Sequence, residues 1–402
     1  MNRLKQLFAI KGVRTAVLIV LALLAAVSVY AGIKNALEFS QDFQWDAAKS
    51  LCMRLDPYEL SQDPQKCETV PELAEFYRMF TDRGLTQKME ANQFPSLLLL
   101  LAPMTVFSPK AAIVVWLILN LLFTASIVIL LRRTFFKDIS LYGYAVGVLI
   151  MLAGTPYRNQ LGVGQHTLFS FCFFMLAVCL DSHMRDGSIG KTAAVSFCLF
   201  VSYFKYTLTA PLALYFLYRK RYKELALSVA GHIVLTEAAA LWLGRSFIYM
   251  IKAPLSVASA LVAEGGIDLG VFLPGALAYI AAAVIGIGLV VISLMLPEGN
   301  EDVLFSLLIL WSLVLTYHRT YDFFVLSAVY MMFMRDRKEA YPALWAGARS
   351  YYWLLLVAVY FVLRIFNENE PSKMVVAVAY YVFAVCTGIF TVRLIKEKKN
   401  GC

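Results

Sequence analysis

Two acidic side chains stand close together directly after the first long apolar run of the chain. Asp42 and Asp46 occur in the stretch 39–58, FSQDFQWDAAKSLCMRLDPY. On a helix, carboxylates four residues apart share a face, and their repulsion raises one pKa toward that of a useful general base. The alternative is that Asp42 precedes a helix and caps its N-terminus, and the spacing alone favours this cap.

The densest polar cluster outside this stretch is YHRTYD at 317–322. His318 and Arg319 could hold a phosphate, the arginine by bidentate geometry. Asp322 could orient His318 or accept a hydrogen bond from a sugar hydroxyl. The alternative is a belt of interfacial tyrosines with internal salt bridges. An acid, a base and a cation concentrated at membrane depth are costly, and this cost favours a function.

Two more polar sites interrupt apolar sequence. Lys205 breaks the segment 191–218, where it could contact a phosphate or extend to the membrane interface. Gln165 and His166 end the connector TPYRNQLGVGQH, and a side-chain amide there suits sugar hydroxyls. A turn without ligand contact is an equal alternative. The connector lacks the third glycine of a dinucleotide-binding fingerprint.

These residues stand in a chain that is mostly hydrocarbon. Of its 402 residues, 60% are hydrophobic and 16% are charged, whereas soluble domains are about half apolar and about a quarter charged. The apolar runs are long enough to span a bilayer, and they predict a single all-α polytopic membrane domain over residues 1–402. Most of the basic clusters behind the net charge of +9 flank these runs. We therefore expect membrane lipids as partners and no nucleic acid.

The polar segments define the predicted topology. Residues 34–93 form the first extracytoplasmic loop, with amphipathic helices at 45–55 and 71–83 that lie on the membrane surface or pack on the bundle. Residues 245–269 form the second. The apolar segment 94–107 is barely long enough to cross, and we treat it as a re-entrant or thinned segment rather than a full span. Without it, about twelve spans, including 351–363 and 374–392, leave both basic termini in the cytoplasm. The Asp42 loop, the 162–166 connector, the Lys205 break and the 318–322 cluster then share the outer side.

The cysteines leave one question open and the motif search excludes several site classes. Cys52 and Cys67 share the first loop, and an oxidising compartment would permit a bridge between them. The seven cysteines show no CxxC spacing, and the chain contains no HExxH, P-loop or GxSxG motif.

The order of these residues resembles the polytopic glycosyltransferases of the GT-C fold, specifically glycosyltransferase family 87. Members of that family include polyprenol-phosphate-mannose-dependent α-mannosyltransferases. The resemblance spans about residues 39–221, with weaker agreement at 318–322. Its pattern reads here as Asp42-Phe43, Ala47-Ala48, Asp56-Pro57-Tyr58, Pro95, Ala102-Pro103, Trp116, Asn120, Gly164-Gln165, Lys205, Pro211 and Arg219 to Arg221.

This sequence departs from the family pattern at two turns. Asp56 precedes Pro57, and the usual glycine of that turn is missing. His166 replaces the small polar residue that commonly follows Gly-Gln. Both departures concern the choice of sugar and acceptor more than the class of enzyme.

The resemblance implies a GT-C type bundle and an inverting transferase. Its donor would be a polyprenyl-phosphate sugar, with mannose as the expected sugar, and its acceptor a lipid or glycan. Asp42 would be the general base, and the donor phosphate would be bound by Lys205, His318 and Arg319. Sugar or acceptor contacts are expected from Asp46, Tyr58, Gln165, His166, Tyr321 and Asp322.

The resemblance also implies where the reaction occurs and what it requires. A lipid phosphate leaving group does not demand a metal, so we expect no metal site and no cofactor. The expected location is the extracytoplasmic face of a bacterial plasma membrane. The alternative is a transporter or flippase of a lipid-linked saccharide, a class that often carries internal repeats, and we find no such repeat.

Overall fold

The protein was analysed as a computed structural model. It describes residues 11–38, 40–85, 87–262, 268–271, 273 and 275–333, together with 384–385, 388–389, 392 and 395–396. Within these residues every regular element is helical. The predicted span at 351–363 and most of the span at 374–392 lie outside the described residues.

The helices follow the apolar runs and the prolines of the sequence. Pro57, Pro64, Pro71, Pro95 and Pro109 each occupy the first turn of a helix, where a missing N–H costs nothing. In chain order the helices are α1 Lys11–Glu38, α2 Trp45–Cys52, α3 Pro57–Gln62, α4 Pro64–Glu68, α5 Pro71–Thr81, α6 Pro95–Leu98, α7 Pro109–Thr134, α8 Leu141–Ala153, α9 Thr155–Gly162, α10 Thr167–His183, α11 Ile189–Ser202, α12 Tyr206–Leu212, α13 Leu214–Tyr218, α14 Tyr222–Leu243, α15 Phe247–Val262, α16 Ala276–Met295, α17 Glu301–Leu315 and α18 Leu326–Phe333.

Several of these helices can cross a membrane. Among the described residues, five spans are long and apolar enough: α1, α7, the continuous segment Ile189–Leu212, α14 and α16. A sixth is present if α9 and α10, which are bent by 107° at their junction, form one broken span. The chain is therefore a polytopic membrane protein. The count of about twelve spans stays a prediction.

The first loop folds into a small helical layer whose buried residues form one cluster with residues of α7, α14 and α15. Helix α2 ends at Cys52, earlier than predicted, because Arg54 adopts a left-handed conformation (φ 62°) and the Leu55 N–H donates back to the carbonyl of Ser50 at 2.9 Å. Asp56 then accepts hydrogen bonds from the backbone N–H groups of Tyr58 and Glu59 and so starts α3. The apolar face of α5 is buried against α2 and the adjoining chain, with Phe76 stacked on Trp45. Helix α5 thus packs on other helices of the first loop. Neither predicted arrangement, on the membrane surface or on the transmembrane bundle, is tested by these contacts.

The segment 94–107 is short, as expected. Helix α6 has four residues, and the 3-10 helix Leu99–Val106, which contains Pro103, has eight. Together they rise about 22 Å, less than the roughly 30 Å of a hydrocarbon core. Trp45 donates its indole N–H to the carbonyl of Met104 at 3.2 Å, so the segment is anchored to the first loop.

Two polar interruptions of the bundle position the site. The break predicted at Lys205 is present as the 3-10 helix Tyr203–Lys205 between α11 and α12. The connector before Gln165 differs from the prediction, because residues 155–162 form helix α9 with Pro156 in its first turn. Helix α9 packs against α1 and against the 3-10 helix Thr320–Val325. The chain after α1, the α9–α10 turn and residues 317–322 therefore meet at one end of the bundle.

Candidate active site

A cavity of about 140 Å³ lies where these elements meet. Its walls come from the chain after α1, the α9–α10 turn, the break before α12 and the chain after α17. The predicted site residues that line it are Asp42, Gln165, His166, Lys205, Arg319 and Tyr321. The described residues thus bring these distant segments together in one place, whereas the prediction that this place lies on the outer side of the membrane stays a prediction.

The backbone around Asp42 is held by the α9–α10 turn. Asp42 lies in the 3-10 helix Gln41–Phe43, and its N–H donates to the carbonyl of Val163 at 2.9 Å. The residue that precedes α2 is Gln44, so Asp42 does not cap that helix, and the alternative that the spacing favoured is wrong. Gly164 has φ +69°, and a Cβ there would meet the Ser40 side chain at 3.1 Å. A glycine at this position lets the two turns touch.

The carboxylate of Asp42 is enclosed by protein yet faces the cavity. One of its oxygens accepts a hydrogen bond of 3.2 Å from the side-chain amide of Gln165, which also donates to the Tyr321 hydroxyl at 3.0 Å. Burial raises the pKa of Asp42 from 3.8 to about 6, against the opposing charges of Lys205 and Arg319. The carboxylate is therefore more basic than an ordinary aspartate and still largely ionised at neutral pH.

Two cations line the same cavity. The Lys205 ammonium lies 3.4 Å from a carboxylate oxygen of Asp322 and 5.4 Å from the centre of the Tyr321 ring, with 12% of its side chain exposed. The Nε–H of Arg319 donates to the Tyr317 hydroxyl at 2.6 Å. Together they provide a positive wall that fits an anionic group.

His318 and Asp322 lie behind this wall. Asp322 is fully buried and contacts the Nδ1 atom of His318 at 2.7 Å, while the Thr167 hydroxyl donates to its other oxygen. The Nε2 atom of His318 faces the Thr316 hydroxyl at 3.1 Å. Asp322 thus orients His318, as one hypothesis expected. The geometry favours Lys205 and Arg319 over His318 for direct phosphate contact, and the role predicted for His318 stays a prediction.

Asp46 and Tyr58 have partners away from the cavity. Asp46 accepts hydrogen bonds from the Tyr77 hydroxyl at 2.6 Å and the Ala47 N–H at 2.9 Å, and burial raises its pKa. The Tyr58 hydroxyl donates to the carbonyl of Gln93 at 2.8 Å. The structure brings neither side chain to the cavity wall. Their predicted contacts with sugar or acceptor are untested.

His166 joins three elements of the site. Its Nε2 atom lies 2.8 Å from the carbonyl of Phe43, the residue after Asp42, so it carries a proton and donates. Its ring packs at a tilt of 32° on the ring of Phe204, the residue before Lys205, with the ring centres 4.3 Å apart. Its backbone N–H donates to the side-chain oxygen of Gln165 at 2.9 Å, which turns the Gln165 amide group toward Asp42. His166, which departs from the family pattern, therefore connects the loop that carries Asp42 to the helix break at Lys205.

A further wall was missed from the sequence. Gln44, Glu90, Asn92 and Gln93 line the cavity on the side of the first loop. They stand on irregular chain, where no helical period marks an inward face. The polar run that ends at Gln93, directly before the apolar segment, is the signal that could have found them.

The two thiols of the first loop are unpaired. Cys52 and Cys67 are both free cysteines, and the Cys67 thiol contacts the carbonyl of Leu60 at 3.6 Å. The bridge that the sequence left open is absent from the structure.

Comparison with known protein families adds the decisive observation. The family model of glycosyltransferase family 87 matches residues 95–317, more than half of the chain. The chain belongs to glycosyltransferase family 87. This family 87 protein is thus a membrane glycosyltransferase, as the resemblance implied. The matched region contains Gln165 and Lys205 and contains neither Asp42 nor Arg319. No curated protein and no solved structure matches the chain.

Proposed function

We propose that this family 87 glycosyltransferase moves a sugar from a polyprenyl-phosphate donor to a hydroxyl of a lipid or glycan acceptor, with inversion at the anomeric carbon. Mannose is the sugar we expect. The observation that carries the proposal is one cavity with a carboxylate of raised pKa, Asp42, beside two cations, Lys205 and Arg319. A base and an anion-binding wall in one cavity are what displacement of a phosphate by a hydroxyl requires.

The proposed reaction is a single displacement. Asp42 takes the proton of the acceptor hydroxyl as its oxygen bonds to the anomeric carbon. The bond from that carbon to the phosphate oxygen breaks, and polyprenyl phosphate leaves with the electron pair. Lys205 and Arg319 stabilise the charge that develops on the phosphate. The Gln165 amide, which bonds Asp42 and Tyr321, orients the base.

A second, apolar groove supports a lipid-linked donor. It has a volume of about 290 Å³, and its lining includes Phe94, Leu97, Val229 and Ile251. Tyr206 belongs both to this groove and to the polar cavity. An isoprenoid chain in the groove would leave its phosphate near Lys205, since Tyr206 directly follows that lysine.

The distribution of basic residues supports the side of the membrane that we propose. Arg219 and Arg221 lie with Asp181 at the end of α10 far from the cavity. Basic clusters favour the cytoplasm. We therefore assign the cavity to the extracytoplasmic face of a bacterial plasma membrane.

The test is transfer of labelled mannose from a polyprenyl phosphate by purified enzyme in lipid nanodiscs. Asp42→Asn keeps the shape of the side chain and removes the base, so we expect kcat to fall by about 10²–10⁴-fold. Wild-type turnover by this variant would exclude Asp42 as the base. Movement of the lipid donor across the membrane without a glycosidic product would favour the transporter alternative.

A further inference from the structure

The cavity has two chemically different walls. One carries the cations Lys205 and Arg319. The other is formed by the first loop and includes Gln44, Glu90 and Gln93. An anionic phosphate is attracted to the first wall and repelled by Glu90 on the second. The loop wall therefore suits a different part of the substrates.

In both glutamine side chains of the loop wall, the amide nitrogen already has a hydrogen-bond partner within the protein. The Nε2 group of Gln44 donates to the carbonyl of Glu90 at 2.7 Å. The Nε2 group of Gln93 contacts the side-chain oxygen of Asn92 at 3.3 Å. The Gln93 backbone is held in turn by the Tyr58 hydroxyl. Both side chains are thus oriented by the protein before any ligand arrives.

The amide oxygens of the same two side chains are unused. Among the described residues, neither Gln44 Oε1 nor Gln93 Oε1 has a hydrogen-bond partner, although the residues are only 8% and 7% exposed. A buried acceptor without a donor costs free energy that a bound donor returns. An amide oxygen only accepts hydrogen bonds. Two oriented amide oxygens therefore favour a ligand that brings hydrogen-bond donors, such as the hydroxyl groups of a sugar.

We propose that Gln44, Glu90 and Gln93 form a subsite for the hydroxyl groups of a saccharide. The proposal rests on the proposed function and names the part of the substrates that this wall binds. It assigns the phosphate to the Lys205 side and the neighbouring hydroxyls to the loop side. A substrate that bridges the two walls would place its reacting carbon between them, beside Asp42.

The direct test is binding without turnover, measured by saturation-transfer NMR on the full-length protein in nanodiscs. The probes are methyl α-D-mannopyranoside, which has hydroxyls only, and farnesyl phosphate, which has a phosphate and no sugar. We expect Gln44→Met and Gln93→Met each to raise the Kd of the mannoside about 10-fold, the loss of one hydrogen bond. Farnesyl phosphate should bind as to the wild type. Gln62→Met, an exposed glutamine of the same loop, is the matched control.

The two single variants lie on separate segments, so a folding defect in one leaves the other informative. Thermal denaturation identifies a variant that does not fold. Unchanged mannoside binding in the folded variants, or no mannoside binding by a wild type that binds farnesyl phosphate, would overturn the subsite. Absence of sugar transfer by a wild type that binds both probes would instead contradict the proposed function. In transfer assays, a selective rise in the acceptor KM assigns the hydroxyls to the acceptor. A selective rise in the donor KM assigns them to the donor sugar.

Discussion

Two ends of the bundle hold a carboxylate in opposite ways. Asp181 has a side chain only 1% exposed, and Lys191 and Arg219 lie within 3.1 and 3.2 Å of its oxygens, with Arg221 also paired to it. Asp42 has a hydrogen bond from a neutral amide, and its cations act across a cavity. Three cations around one buried carboxylate suit a structural role, whereas the raised pKa of Asp42 gives it the basicity that proton transfer needs.

The largest effect expected from this comparison is on stability, at Asp181. Asp181→Asn removes the buried partner that Lys191, Arg219 and Arg221 share. Lys191 and Arg221 keep Asp186 and Arg219 keeps Glu301, so we expect a cost of about 3 kcal/mol, the lower end for a broken buried ion pair. We expect a much lower melting temperature in nanodiscs, with kcat per folded molecule unchanged.

Asp42→Asn provides the contrast in the same melting experiment. Because burial raises the pKa of Asp42, its ionised form opposes folding at neutral pH, and removing the charge should leave stability equal or higher. Equal destabilisation by the two variants would contradict the distinction between the two ends.

The second prediction concerns the cation side of the cavity. Lys205→Met removes a charge that faces the departing phosphate, and we expect kcat to fall by about 10²–10³-fold. Lys205→Arg should retain part of the activity because it keeps the charge. Lys66→Met, an exposed lysine paired only with Asp63 among the described residues, is the matched control. Full activity of Lys205→Met would remove the lysine from the mechanism.

Much of the site could be predicted from the sequence because its main signals are local. Lys205 stands out since a charge interrupts an apolar run, and Asp42 since acids follow a span directly. The basic clusters predict the side of the membrane on which each segment falls. From these signals we predicted that Asp42, Gln165, Lys205 and Tyr321 lie close together, and in the structure all four line one cavity.

What could not be predicted depends on side-chain direction within irregular chain. Asp46 and Tyr58 also carry polar groups, yet neither faces the cavity. Asp46 bonds Tyr77, and Tyr58 bonds the backbone of Gln93. Gln44 and Gln93 lie next to helices and have no period that marks an inward face. His318 follows a span but turns behind the cavity toward Asp322. Each of these outcomes is decided by tertiary packing, which residue type and spacing do not encode.

The third prediction is the pH dependence of transfer. The proposed base, Asp42, would act as the carboxylate, and its pKa is raised from 3.8 to about 6. We therefore expect kcat/KM to be constant above neutral pH, half-maximal near pH 6 and to fall about tenfold per unit below that. Initial rates between pH 4.5 and 8 would measure it. A midpoint near pH 4 would mean that the base has the pKa of an ordinary aspartate.

The smallest expected effect comes from the contact that joins the two walls of the site. His166→Phe keeps the ring that packs on Phe204 and removes the Nε2–H that donates to the carbonyl of Phe43. The loop that carries Asp42 should lose part of its positioning, and we expect kcat to fall about tenfold because misplaced catalytic groups react more slowly.

If His166 only stabilised the fold, the melting temperature would fall and kcat per folded molecule would not. If it acted as the base itself, the acid limb of the pH profile would disappear, whereas a positioning role leaves that limb near pH 6. The same variant therefore distinguishes a His166 that positions Asp42 from a His166 that is itself the base.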